Sequence, residues 1–171
     1  MIYLDCLSLE DSQKYRKWRN QLKGIYRTPF KITGGMQEDW YFNTVNNRNS
    51  NNRYFAIKQK GGEFIGVGGI TDIQWENGIG EIALTLGPDF QQKGYGENAV
   101  DLLLTEAFND MRLQNIYGEC YKCNPALKFW KKMISKYGGY QTVLPARKYF
   151  NGQFWDSVYF SFSKKGKENE D

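Results

Sequence analysis

At 171 residues the chain has the length of one domain and leaves no room for two ordinary ones. Five Trp, 12 Tyr and 11 Phe supply enough bulk for a sizeable core, which excludes global disorder, and no long uncharged apolar run is present to span a membrane. The 23 Lys and Arg exceed the 19 Asp and Glu by only +4 and are scattered, so nucleic acid is not an expected partner, and the absence of histidine excludes imidazole bases, Ser-His-Asp or Cys-His nucleophile schemes and His-ligated zinc.

Residues 2–7 alternate like a short strand, with no basic region or apolar stretch of a secretory signal, so the cytoplasm is the expected compartment. Ser8 and Asp11 form a capping signature for a basic amphipathic helix reaching about Asn20. A second helix is expected from about Gln37 to Val45, followed by the polar loop NNRNSNNR. The period then becomes that of sheet. RYFAIKQ, EFIGVGGITDI and IGEIALTLG, separated by the turns Lys60-Gly61-Gly62 and Glu76-Asn77-Gly78, predict an antiparallel meander. Val100, Leu103, Leu104, Ala107, Phe108 and Met111 recur at helical spacing and predict a helix with one packed face. Next come a strand over NIYGECY, a helix over about 125–137, and two late strands joined at Asn151-Gly152. Residues 1–163 are read as one α/β domain, and the charged residues 164–171 as a frayed tail.

Cys6, Cys120 and Cys123 are an odd count. The formal CxxC of Cys120 and Cys123 starts in a predicted strand, where residues three apart point to opposite faces, and no second pair exists to complete a metal site. No metal is expected. Gly66-x-Gly68-Gly69 has no helix after it, so these glycines are read as marks of a bulge or close packing.

The informative segment is LTLGPDFQQKGYGENAV. Its polar, glycine-bearing turn stands straight after a strand and straight before a helix. Unpaired amides at the helix start, with the positive end of the helix dipole behind them, suit a pyrophosphate, and Gly94 and Gly96 allow close approach.

The order of a strand meander, Gln91-x-x-Gly94-x-Gly96, an amphipathic helix, a strand and an Asn-Pro-Ala helix resembles the GCN5-related N-acetyltransferase (GNAT) family. The nearest likeness is to its ribosomal-protein, polyamine and nucleotide-sugar branch, and it covers essentially the whole chain from Lys17-Trp18-Arg19-Asn20 to the late strand pair. The resemblance implies a mixed, mostly antiparallel sheet of six to seven strands flanked by about four helices. It implies acetyl-CoA as cosubstrate and an amine as acceptor: an amino-sugar nucleotide, a polyamine or a protein N-terminus. Leu84, Thr85 and Leu86 would pair with the pantetheine arm, and Gln91, Gln92, Lys93, Gly94, Tyr95, Gly96 and Glu97 would hold the pyrophosphate. Asn124 would contact the pantetheine from the other side, although it stands two residues before Ala126 where the family commonly has three.

By the same resemblance Glu81 is the candidate base, the other reading being an exposed strand glutamate. Trp130 stands where the family places its tyrosine acid, and an indole cannot reprotonate a thiolate. Tyr137 is the candidate substitute, the other reading being an aromatic at the helix end. Trp18, Arg19 and Trp40 are candidate acceptor contacts, with plain packing or solvation as the alternative for each. Trp130 also keeps open a non-catalytic acyl-CoA-binding module on the same fold, and assembly as a homodimer is open to the chain.

Overall fold

The computed structural model describes residues 1–21 and 25–164. The expected frayed tail lies outside the described residues except for Lys164, which is fixed: its amide donates to the Gln114 carbonyl at 3.0 Å and its Nζ to the Phe108 carbonyl at 3.1 Å.

Strands β1 (Ile2–Cys6), β2 (Arg53–Gln59), β3 (Phe64–Gln74) and β4 (Ile79–Leu86) pair antiparallel in chain order. The meander forms where the sequence places its three strand runs and two turns, but β3 does not alternate: it is buried on both faces from Phe64 to Thr71. β5 (Asn115–Tyr121) runs parallel to β4, β6 (Tyr140–Phe150) forms the far edge, and β7 (Gln153–Ser163) inserts between them. The seven-stranded order is β1-β2-β3-β4-β5-β7-β6. Asn151 and Gly152 take φ of 51° and 81° at the tip of the β6–β7 hairpin, the positive values that a two-residue turn demands. Pro145 falls in edge strand β6, inside a register shift, where a missing N–H breaks no central ladder.

Among the described residues four α-helices cover the sheet: α1 (Leu9–Gln21), α2 (Gly34–Trp40), α3 (Tyr95–Thr105) and α4 (Leu127–Lys136). Ser8 caps α1, accepting from the Asp11 amide at 3.0 Å. α2 starts three residues before the expected Gln37, because Thr33 Oγ1 accepts from the Met36 amide at 3.2 Å and carries Gly34 and Gly35 into the helix. α3 buries Val100, Leu103 and Leu104 completely, against Ile70, Ile82, Ile116 and Phe160 of the sheet and Met133 of α4. At Glu106 it widens into a π turn that ends at Asp110. Gly68 lies under Leu103, where an added Cβ would stand 2.8 Å from Cδ1, so the glycine run of β3 serves close helix–sheet packing. On the other face Leu7, Ala56, Phe64 and Val67 pack with Tyr15 and Trp18 of α1 and Trp40 of α2.

Candidate active site

β4 and β5 share three rungs, Ile79 with Asn115, Gly80 with Ile116 and Glu81 with Tyr117. Beyond them β5 follows β7, with which it stays paired as far as Tyr121. β4 continues alone, and the sheet splits. The opening is a cleft of about 230 Å³. Ile82, Ala83, Leu84 and Thr85 form one wall and Glu119, Cys120 and Tyr121 the other, with Asn124 and Trp130 at the base of α4. Tyr15 and Arg19 of α1, with Ile25, Tyr26 and Arg27 of the loop after it, close the remaining side.

The turn at residues 91–96 leads from β4 into α3. Gly94 is the N-cap residue at φ 83°, with no atom within 4 Å of the place a Cβ would occupy. Gln92 also has positive φ, 59°. No side chain caps α3, so its first amides are open to an anionic ligand. Open space before Gly94 and uncapped amides behind it fit a pyrophosphate. Other side chains of the turn are engaged elsewhere. Gln91 Nε2 donates to the Leu86 carbonyl at 3.1 Å, Tyr95 Oη donates to Gln59 Oε1 at 3.0 Å, and Lys93 lies 6.0 Å from the Phe90 ring centre. Glu97 pairs with Lys132 at 2.6 Å and Lys136 at 3.1 Å. Gly96 faces Phe129 of α4, 3.1 Å from an added Cβ, so it serves helix packing. Asn124 lines the cleft, and its Oδ1 accepts from the Ala126 amide at 2.9 Å.

Glu81 is not an exposed strand glutamate: its side chain is 9% accessible. Both its carboxylate oxygens accept from Arg27, Oε2 from Nη1 at 3.0 Å and Oε1 from Nη2. The same guanidinium lies 3.7 Å from Glu119, a second carboxylate only 8% accessible. Glu119 also accepts from Arg147 Nε at 2.9 Å and Ser157 Oγ at 2.6 Å. Burial pushes its carboxyl up, but these hydrogen bonds and the charges of Arg147 and Arg27 outweigh burial, and it titrates below the ordinary 4.5. Arg27 is held well above its usual range, chiefly by its hydrogen bond to Glu81. Sequence reasoning missed Arg27 and Glu119. The one available signal was the alternation of β5, which sets Tyr117, Glu119 and Tyr121 on the face opposite the buried Ile116, Gly118 and Cys120.

Burial raises the phenols of Tyr26, Tyr54 and Tyr121, so these three cleft tyrosines stay protonated donors. Burial, with some help from Cys123, pushes the Cys120 thiol up to about 12. It is no thiolate at neutral pH.

Of the catalytic and acceptor candidates, three lie away from the cleft. Trp18 stacks on Phe64 at 5.2 Å and packs over Gly87, where a Cβ would come within 2.6 Å of its ring. Trp40 packs edge-on against Tyr54 at 4.9 Å and beside Tyr15 at 6.1 Å. Both are half-buried aromatics packed against the core on the α1–α2 face. Tyr137 caps the far end of α4, bonded to Asp101 and packed edge-on against Phe162 at 5.5 Å. It stands seven residues, about 10 Å along a helix axis, from Trp130. Arg19 does line the cleft, donating to Thr28 Oγ1 at 2.9 Å and lying over the rings of Tyr15 and Tyr26. Among the described residues no group of Cys, Asp and Glu is arranged to hold a metal, and no helix is long and apolar enough to cross a membrane.

The family model described as "Acetyltransferase (GNAT) domain" matches residues 2–129. An uncharacterized N-acetyltransferase, YnaD of Bacillus subtilis (strain 168), is 28% identical over 83 residues, which span 47% of this chain and 46% of that protein, about half of each. The fold is that of spermidine N-acetyltransferase from Vibrio cholerae in complex with CoA and spermine, with a TM-score of 0.86, 17% identity and 98% of both chains covered. A mutant form of SpeG, the spermidine N-acetyltransferase of Vibrio cholerae, superposes similarly, with a TM-score of 0.85, 18% identity, and 98% of this chain and 96% of that one covered.

Proposed function

The chain belongs to the GNAT acetyltransferase family, and from that premise we propose that it moves the acetyl group of acetyl-CoA directly onto a primary amine held in the β4–β5 cleft. The observation that carries this reading is the split after Glu81 and Tyr117 together with the uncapped turn before α3. Residues 82–86 have no partner in β5, although the Leu86 carbonyl accepts from Gln91, and an extended pantetheine arm can pair with them as an added strand. The amides around Gly94 receive the pyrophosphate, and Asn124 holds the arm from the other side.

Acetyl-CoA supplies an acyl group activated as a thioester. The chain supplies position, proton transfer and dryness. Backbone amides of residues 84–86 polarise the carbonyl, and Glu81 takes a proton from the amine once its oxygens are released from Arg27. Cys120, protonated and without histidine beside it, forms no acyl-enzyme. Tyr137 is not in place to return a proton to the departing thiolate. Tyr26, protonated and lining the cleft, is the donor we place there instead.

A spermidine acetyltransferase as structural neighbour and two buried carboxylates in the cleft support a small cationic amine as acceptor. Three free cysteines support work in the reducing cytoplasm. Exposed Tyr149 and Phe154 at the β6–β7 tip support a homodimer, which light scattering decides.

Free-thiol release from acetyl-CoA across alkylamines, polyamines, amino sugars and peptide N-termini tests the reading. Trp130 on the cleft wall favours one rival, a module that binds CoA without turnover. CoA binding with no thiol release from any amine would establish that rival.

A further inference from the structure

Glu81 and Glu119 stand on adjacent strands, on one face of the sheet, one at the last shared rung and the other two residues past it. Both are more than nine-tenths buried, and both lie against a single guanidinium. Two buried carboxylates this close need a cation between them, since each lacks water to spread its charge and repels the other. Glu119 has further partners in Arg147 and Ser157, but the carboxylate of Glu81 has Arg27 alone among the described residues.

Arg27 differs from the carboxylates that it joins. Its side chain is 56% accessible and reaches the site from the loop between α1 and α2. The backbone beside it is anchored separately: buried Lys148 donates to the Tyr26 carbonyl at 2.7 Å. The guanidinium can therefore swing outward while the loop stays in place. Tyr15, Tyr26, Tyr54 and Tyr121 line the same space, with Arg19 already over the rings of Tyr15 and Tyr26 and Lys148 Nζ 5.8 Å from the centre of the Tyr121 ring, so the attraction for an entering cation comes from the two carboxylates.

We propose that Glu81 and Glu119 form a cation subsite for the ammonium of the acceptor, and that Arg27 fills this subsite as an internal stand-in which the acceptor displaces. The inference rests on the acetyltransferase reading and deepens it by naming the acceptor class, an unhindered primary alkylammonium charged at neutral pH. Displacement has a chemical purpose. While Arg27 donates to both oxygens of Glu81, neither is turned to an amine, so the base is released only when a cationic acceptor enters. Glu119, fixed by Arg147 and Ser157, is the standing half of the subsite, and Glu81 is the half that goes on to take the proton.

Chemical rescue with ethylguanidinium, the detached end of an arginine, tests this without requiring turnover. Arg27→Ala is expected to melt lower than the parent and to regain about 3 °C or more at ten times the probe's Kd. The parent, already filled, is expected to gain nothing, and Arg27→Ala combined with Glu119→Gln to lose the rescue. If Arg27→Ala does not fold, Arg27→Met keeps the bulk of the stem without the charge and is tested the same way. Equal responses in the parent, Arg27→Ala and the double variant would overturn the proposal.

Kinetics give the second arm. With an alkylamine substrate, Arg27→Met is expected to lower acceptor KM about fivefold and Glu119→Gln to raise it tenfold or more, with acetyl-CoA KM unchanged in both. An amine that is neutral at pH 7 should show neither effect. A higher alkylamine KM in Arg27→Met would overturn the stand-in role. Absence of thiol release from the parent with every amine would defeat the acetyltransferase reading and leave the rescue experiment to decide the cation subsite.

Discussion

Glu81 and Tyr117 face each other across the last rung that joins β4 to β5. One residue further on, the sheet is open, so a buried carboxylate sits at the apex of the split where cofactor thioester and acceptor amine would meet.

Replacement of Glu81 by Gln is expected to lower kcat by roughly a hundredfold, the usual scale for a general base. Acetyl-CoA affinity should change little, because the proposed cofactor contacts are main chain of residues 84–86 and the turn before α3, not this carboxylate. The deficit should narrow as pH rises, since a larger share of the acceptor then arrives without its proton. Parallel pH–rate profiles of the two proteins on one amine check this, and parental turnover by Glu81→Gln at neutral pH would remove Glu81 as the base.

The two glycines of the turn separate binding from packing. Gly94→Val places a β-branched residue at φ 83° and a side chain in the open space before α3. It is expected to weaken acetyl-CoA binding tenfold or more, at a cost of about 1–2 kcal/mol in stability. Gly96→Ala instead presses on Phe129 and is expected to lower Tm while leaving acetyl-CoA affinity within about twofold. Calorimetric titration beside thermal melts distinguishes the pair.

Cys120 offers a test of direct transfer. A thiol held near 12 is protonated throughout the neutral range, so Cys120→Ala is expected to keep kcat within about threefold. A collapse of turnover in a folded Cys120→Ala protein would point to an acyl-enzyme.

Glu119 predicts an acid-sensitive contribution to stability. Its folded-state carboxyl titrates below the ordinary 4.5, so the contribution is complete above about 4.5 and fades as pH falls through the lowered value. Glu119→Gln is expected to cost about 2 kcal/mol at pH 7, a Tm loss of roughly 4–8 °C. The gap between the two proteins should close on acidification below pH 4. A gap independent of pH would mean that shape, rather than charge, is what Glu119 contributes.

Much of the fold was legible because it is local. Strand-forming runs between glycine-bearing turns mark β2, β3 and β4, the spacing of Val100, Leu103, Leu104 and Ala107 marks α3, and Asn151-Gly152 marks the last hairpin. The turn at residues 91–96 was legible for the same reason, since strand, glycines and helix stand in one run of sequence. Partners across the site were not. Arg27 and Glu81 are 54 residues apart, and nothing local says that a loop guanidinium will settle between two strands. The aromatics misled in a different way. Trp18 and Trp40 have the chemistry of a substrate platform, but Phe64, Gly87, Tyr54 and Tyr15 had already claimed their faces in the fold. Tyr137 shares a helix with Trp130, and the rise of that helix carries it past the cleft to Asp101.

The three-rung seam between β4 and β5 bears on how the molecule avoids sticking to itself. An unpaired strand at the rim of a sheet invites pairing with a neighbouring chain, and proteins guard such rims with charge, proline or bulges. Here β4 leaves a stretch of unpaired main chain in the middle of the sheet, flanked by β5 and roofed by α1 and the loop that carries Tyr26 and Arg27. A single slim chain can thread that slot, while the edge of another folded sheet is too broad to enter. The geometry that leaves room for an extended ligand thus also keeps this inner edge out of reach of aggregation, with no charged guard on residues 82–86 themselves.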